Sequence, residues 1–106
     1  MATRAIIKIQ GIAFAQVYKH YDGYPEGTLQ WLQEFNEDFV RGRGIDGAYK
    51  LAQLLRSSAT MAEEYGLDKS KYTGWGVEPL GTDCGQEYEY TLHKNGKVTY
   101  KHLLDD

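Results

Sequence analysis

One cysteine, Cys84, leaves no partner for an intramolecular disulfide, and a lone thiol fits a reducing compartment. No window of the chain approaches the roughly 20 apolar residues that a membrane helix needs. Cations are not in excess: 12 Lys and Arg face 15 Asp and Glu, for a net charge of −3. A general nucleic-acid binder draws its affinity from clustered Lys and Arg on phosphates, so this balance argues against that class. No Walker lysine is present and no GxGxxG follows a strand pattern, so no cofactor is expected. The opening residues lack the long apolar run of a secretory leader. These absences predict a soluble, cytoplasmic protein that makes no membrane contact.

What is present is a core-forming composition. Apolar residues make up 42% and charged residues 25% of 106 residues, enough for one packed domain spanning 1–106. Nine tyrosines are many for this length. Tyr joins an apolar body to a polar tip, which suits half-buried sheet faces and binding surfaces.

Residues 4–10 alternate loosely around Ile6, Ile7 and Ile9 and read as a strand; after Gly11 a second alternating run reaches Lys19, so a hairpin is expected. Asp22-Gly23 is a turn pair in which Gly23 can take positive φ, and Pro25 forces Tyr24 to be extended. With Thr28 as cap, Leu29, Leu32, Phe35 and Phe39 recur at helical spacing, opposite Gln30, Gln33, Glu34 and Glu37. The run Arg41-Gly42-Arg43-Gly44 ends that helix. Asp46 caps a second helix with an apolar stripe of Ala48, Leu51, Ala52, Leu55, Ala59 and Ala62, ending near Tyr65-Gly66. Its alanines should let it approach its neighbours closely. A short strand is expected around 76–80. Asn95-Gly96 between alternating runs then predicts a hairpin, with Tyr88, Tyr90, Leu92, Val98, Tyr100 and His102 on one face. Acids on one of its strands should pair with bases on the other.

Strands at both ends and helices between them predict an α+β domain: a mostly antiparallel sheet, built from N-terminal and C-terminal hairpins, with two central helices packed on one face.

The densest chemistry lies at Tyr18-Lys19-His20-Tyr21-Asp22-Gly23-Tyr24-Pro25-Glu26-Gly27. Thr3-Arg4, this loop, the helix after it and the late Glu87-Tyr88-Glu89-Tyr90 together resemble a family of small phage- and prophage-type proteins with a Trp/Tyr-Asp-Gly-Tyr-Pro loop. Tyr21 stands where many members carry Trp. The resemblance covers most of the chain and implies a phage or mobile-element setting without a mechanism. By analogy of setting, it implies a host protein as partner.

Four groups of residues carry possible chemistry. His20, Asp22 and Glu26, with Arg4 or Arg43, form a small-ligand or hydrolase-like acid/base set, set against a plain Asp-Gly turn; a metal site lacks a third ligand of fixed geometry. Cys84 matches no nucleophile signature and reads as an inert thiol. Gly42, Gly44 and Gly47, interleaved with Arg41 and Arg43, form a candidate anion site, although Asp46 would repel a phosphate. Tyr18, Tyr21, Tyr24, Trp31, Tyr72 and Trp75 form an aromatic patch if residues 67–81 fold over the loop. Aromatic residues and arginine are enriched at protein interfaces. The leading expectation is therefore a non-enzymatic binding protein. It would engage a host protein through Tyr18, His20, Tyr21, Asp22, Tyr24, Glu26, Trp31, Arg43 and Trp75 and an acidic helix face of Glu34, Glu37 and Asp38. As an acidic competitor of nucleic acid it would inhibit host defence or metabolism. Exposed hairpin edges also allow a homo-oligomer.

Overall fold

The structure, a computed structural model, describes residues 3–19, 23–44, 46–64 (side chains to 57) and 75–103. Its order is β1 (Ala5–Ile9), β2 (Ala15–Lys19), α1 (Pro25–Arg43), α2 (Gly47–Glu64), β3 (Trp75–Pro79), β4 (Tyr88–Leu92) and β5 (Val98–His102). The five strands form one sheet in the order β3-β2-β1-β4-β5. It is mostly antiparallel, and the fold is α+β with strands at the two ends of the sequence and helices between. No helix among the described residues is long and apolar enough to cross a membrane.

The two expected hairpins are present. β1 and β2 pair antiparallel, with Ile7 opposite Val17. Their connection is longer than one glycine: Phe14 is 70% exposed and the second strand starts at Ala15. β4 and β5 pair Tyr88 with His102, Tyr90 with Tyr100 and Leu92 with Val98, so the predicted face is correct. Glu89 is opposite Lys101, but its ion pair is with Lys8 on β1, at 2.9 Å. Burial works against the charge of Glu89; the hydrogen bond and charge of Lys8, with smaller contributions from Gln86 and Lys101, together outweigh it and hold the carboxyl below its usual pKa.

The hairpins join through a parallel pair that local pattern does not announce. β1 runs alongside β4, with Ile7 beside Tyr90 and Ile9 beside Leu92. This pair explains why Ala5, Ile6, Ile7 and Ile9 are all buried. A strand covered on both faces reads as an apolar run rather than a strict alternation. On one face Ala5, Ile7 and Ile9 join Val17, Tyr90, Leu92 and Val98 in a core closed by Leu32 of α1 and Leu54 of α2. On the other face the loop from β3 to β4 crosses the sheet. The Gln16 amide holds it at one end, donating to Thr82 O at 2.9 Å and accepting from Gly81 N at 3.1 Å. Arg4 holds it further on through Cys84 O and through its own carbonyl, which accepts from Glu87 N. Ile6, fully buried, lies on this face between the two attachments.

α1 begins with Pro25 in its first turn, where a missing N–H costs nothing, after an extended Tyr24 (φ −69°, ψ 158°). The turn kinks at Glu26 and Gly27, and Gly27 at φ 85° lets the regular helix start at Thr28. The helix closes at Gly44, whose N–H donates to Val40 O at 3.0 Å. The amphipathic reading holds with one change: its buried residues are Thr28, Leu32, Asn36 and Phe39. Asp46 does cap α2, its Oδ1 accepting from Tyr49 N at 3.1 Å. The stripe of α2 is shifted from the one expected. Ala48 and Ala52 are exposed, while Lys50 and Leu54 are buried and Leu51 and Leu55 half-buried. Its close approach comes from Gly47, where a Cβ would stand 3.2 Å from Ile12. The side chains of Ala59 and Ala62, with Tyr65 and Gly66, lie outside the described residues.

Two polar residues of these buried stripes, Asn36 and Lys50, hold each other. Lys50 Nζ donates to Asn36 Oδ1 at 2.6 Å, and Asn36 Nδ2 donates to His93 O at 3.0 Å and Lys97 O at 2.9 Å. One amide thus ties α2, α1 and the base of the β4–β5 hairpin. The ammonium also stands 5.4 Å from the centre of the Phe39 ring. No carboxylate pairs with it among the described residues, and burial pushes its pKa below the ordinary 10.5.

Two outcomes follow from this network. Asn36→Ala strips the buried ammonium and two hairpin carbonyls of their partner. It should lower the unfolding free energy by about 3 kcal/mol, measured by urea denaturation; a loss within about 1 kcal/mol would show that the hairpin base holds without the amide. Lys50 has a lower pKa folded than unfolded, so the unfolded chain binds its proton more tightly, and its contribution to stability rises with pH up to about 10.5. The stability of wild type relative to Lys50→Met should therefore rise as pH is raised from about 7 towards 10. A pH-independent gap would mean that the ammonium is not desolvated.

Candidate functional site

Gly23 is the described anchor of the tyrosine-rich loop. Its N–H donates to Thr3 O at 2.8 Å, and its carbonyl accepts from the buried Tyr90 hydroxyl. Burial, with smaller contributions from Tyr88, Tyr100 and Glu26, raises the Tyr90 pKa and keeps the hydroxyl a donor. Glycine is required here for a different reason from the one its turn pair implies. A Cβ would fall 2.6 Å from Ala5 Cβ and 2.9 Å from Thr3 O, so the requirement is closeness to β1. The loop's end is thereby fixed to the central strand, and Tyr24, 37% exposed, and the exposed Glu26 project beyond it.

A row of rings runs along α1 from this end of the sheet. Trp75 of β3 meets Trp31 edge-on at 5.5 Å. Trp31 stacks with Phe35 at 6.3 Å, and Phe35 with Phe39 at 6.2 Å. Phe39 meets Tyr49 of α2 at 5.7 Å, and the Arg43 guanidinium caps the row 4.3 Å above the Tyr49 ring. Helical spacing produces the row: 31, 35 and 39 are four residues apart and share one side of α1. Between the helices it borders a cleft of about 290 Å³, lined by Phe35, Asp38, Phe39, Arg43, Tyr49 and Gln53. Asp38 at its rim is paired with Arg41, and Glu34, one turn earlier, accepts from Gln30 at 3.1 Å.

The residues expected to form one site are thus divided. Trp31 and Trp75 meet, and Arg43 belongs to the same row. Tyr18, opposite Ile6 and beside Gly76, is on the other face of the sheet from Trp75. Tyr24 and Glu26 stand at the start of α1. His20, Tyr21, Asp22 and Tyr72 lie outside the described residues. The row also contains Phe35 and Phe39, read from the sequence only as part of the apolar stripe of α1, and Tyr49, and its cleft adds Gln53. Their signal was the spacing of Phe39 from Phe35, and of Tyr49 and Gln53 from each other.

The other chemistries gain no geometry. Asp46 caps α2 with its own carboxylate, where an anion would have to sit. Arg41 and Arg43 diverge, one to Asp38 and one to Tyr49. Burial, then Glu78 and Asp83, pushes the Cys84 thiol up to about 11, which disfavours a reactive thiolate. His93 bonds Thr99 at 2.7 Å and His102 stacks on Tyr88 at 4.6 Å, so the two are separately engaged. Among the described residues no group of three His, Cys, Asp or Glu could hold a metal ion.

Gly23→Ala should destabilise the protein by about 2 kcal/mol or more, because backbone and Ala5 must both give way; thermal unfolding measures it. The double change Gly23→Ala/Ala5→Gly should recover part of that loss, and no recovery would place the clash elsewhere.

No family model matches this chain, and no curated protein and no solved structure does so.

Proposed function

We propose that this protein is a non-enzymatic binding module of phage or mobile-element type whose partner is a host protein. The observation that supports it is the half-buried row Trp75–Trp31–Phe35–Phe39–Tyr49 ending in Arg43. Rings already packed on one another lose little freedom on binding, and aromatic and arginine side chains contribute most of the energy at protein interfaces. The cleft beside them has room for one large side chain of a partner. Glu34 and Asp38 stand along the same side of α1, and Tyr24 extends the surface at its start. This combination suits a basic protein surface that offers an aromatic or aliphatic anchor. A host enzyme's nucleic-acid channel has that character, and occupation of it would block the enzyme.

The test is capture from a host-type lysate with wild type, Arg43→Ala, Glu34→Lys and Tyr24→Ala, each checked for folding by circular dichroism. All three residues are exposed, so the variants should fold. A partner captured by wild type should bind Arg43→Ala and Glu34→Lys at least about tenfold more weakly, the loss expected for one interface anchor. Capture unchanged by all three variants would remove this helix face from the interface.

A further inference from the structure

β5 is the last strand on its side of the sheet. Leu103 N donates to Glu87 O at 2.7 Å and His93 N to Lys97 O at 2.9 Å, which sets the alternation of the ladder. Residues 97, 99, 101 and 103 turn their backbone groups towards β4. Val98, Tyr100 and His102 therefore turn their N–H and C=O groups outward, where no strand lies among the described residues. Residues 99–102 are all exposed.

The side chains along this edge are of two kinds. On the helix side Tyr100, 46% exposed, and His102 pack around Tyr88, at 6.3 Å and 4.6 Å. On the other side Thr99 and Lys101 face water. Lys94, Lys97 and Lys101 are exposed and no carboxylate occurs from 93 to 102, although the chain carries a net charge of −3. Glu89, opposite Lys101 on β4, makes its ion pair with Lys8 at 2.9 Å. Lysines on an edge discourage pairing with an identical edge. In an antiparallel pair of two β5 strands centred on Tyr100, the two Lys101 residues would become diagonal neighbours. Opposite a strand bearing carboxylates, the same lysines become attractive cross-strand partners. A ladder of backbone donors and acceptors also matches a peptide, not a phosphodiester chain.

We propose that the outer edge of β5 takes up an extended acidic peptide segment of a partner protein as an added strand. Its carboxylates lie over Thr99 and Lys101, and its alternate aliphatic side chains lie over Tyr100 and His102. This contact goes beyond the α1 surface, uses other residues and selects the opposite charge.

The probe is a capped octapeptide alternating glutamate and valine, titrated into the full chain and followed by amide chemical shifts and hydrogen exchange. Saturable shifts centred on 98–102 are expected, with slowed exchange of the Tyr100 and His102 amides. Lys101→Glu should weaken binding about tenfold or more, as should raising the salt about tenfold. Tyr100→Pro removes an outward donor without touching the β4 ladder and should abolish binding; Lys101→Glu keeps the test decisive if the proline variant fails to fold. Equal binding of the lysine–valine octapeptide, shifts outside β5, or no saturation would overturn the proposal. So would a β5-linked dimer seen by light scattering that the octapeptide does not dissociate. Stronger shifts of the same amides with oligothymidylate would replace it with a nucleic-acid contact.

Discussion

The amide of Asn36 joins α1, α2 and the base of the β4–β5 hairpin. Both N–H groups of its side chain are used on the hairpin base and its oxygen on Lys50. A buried ammonium without a carboxylate is unfavourable, and here it is tolerated because the amide oxygen and the Phe39 ring face it. The effect is geometric more than energetic. An apolar pair at these positions could pack as well, but it would leave the rotation of α1 about its axis less determined. With Asn36 pointing at residues 93 and 97, Leu32 must face the sheet, and Trp31 and Phe35 must fall at the side. The aromatic row is where it is because a polar group in the core allows one setting of the helix.

Local chemistry made much of the fold legible. Asn95-Gly96 marked a hairpin, the tyrosines of β4 and β5 kept one face, and Asp46 and Gly44 marked helix ends. The parallel pairing of β1 with β4 was not legible, since register between distant strands leaves no local trace. The small excess of apolar residues in β1 was its only sign. Ala48 and Ala52 were read as a packing stripe because they are small and apolar. Lys50 was not among the stripe residues named from the sequence. The structure exposes the two alanines and buries Lys50, whose charge has a partner on another helix. Asn36 carried a weak signal, a polar residue four after Leu32 and three before Phe39.

The candidate site was legible in composition and not in arrangement. Tyrosine, tryptophan and arginine were recognised as surface-forming, and Trp31 and Trp75 were placed in one patch on the condition that residues 67–81 fold over the loop. That Tyr18 lies on the other face follows from strand parity once the register with β1 is known. Gly23 shows the same limit. Its neighbours in sequence indicate a turn, whereas its neighbours in space, Ala5 and Thr3, set the need for glycine.

The central pair of strands also constrains when the fold can form. β1 is synthesised well before β4, with both helices made between them. Until β4 arrives, β1 has a partner on one side only and Ile6 lacks its covering loop. Few local contacts can commit the sheet early, so loop closure over most of the chain precedes the main gain in burial. Such a domain should fold only once β4 has emerged, in a single cooperative step and slowly for its length. During translation its unpaired apolar strand would be the natural substrate for a chaperone.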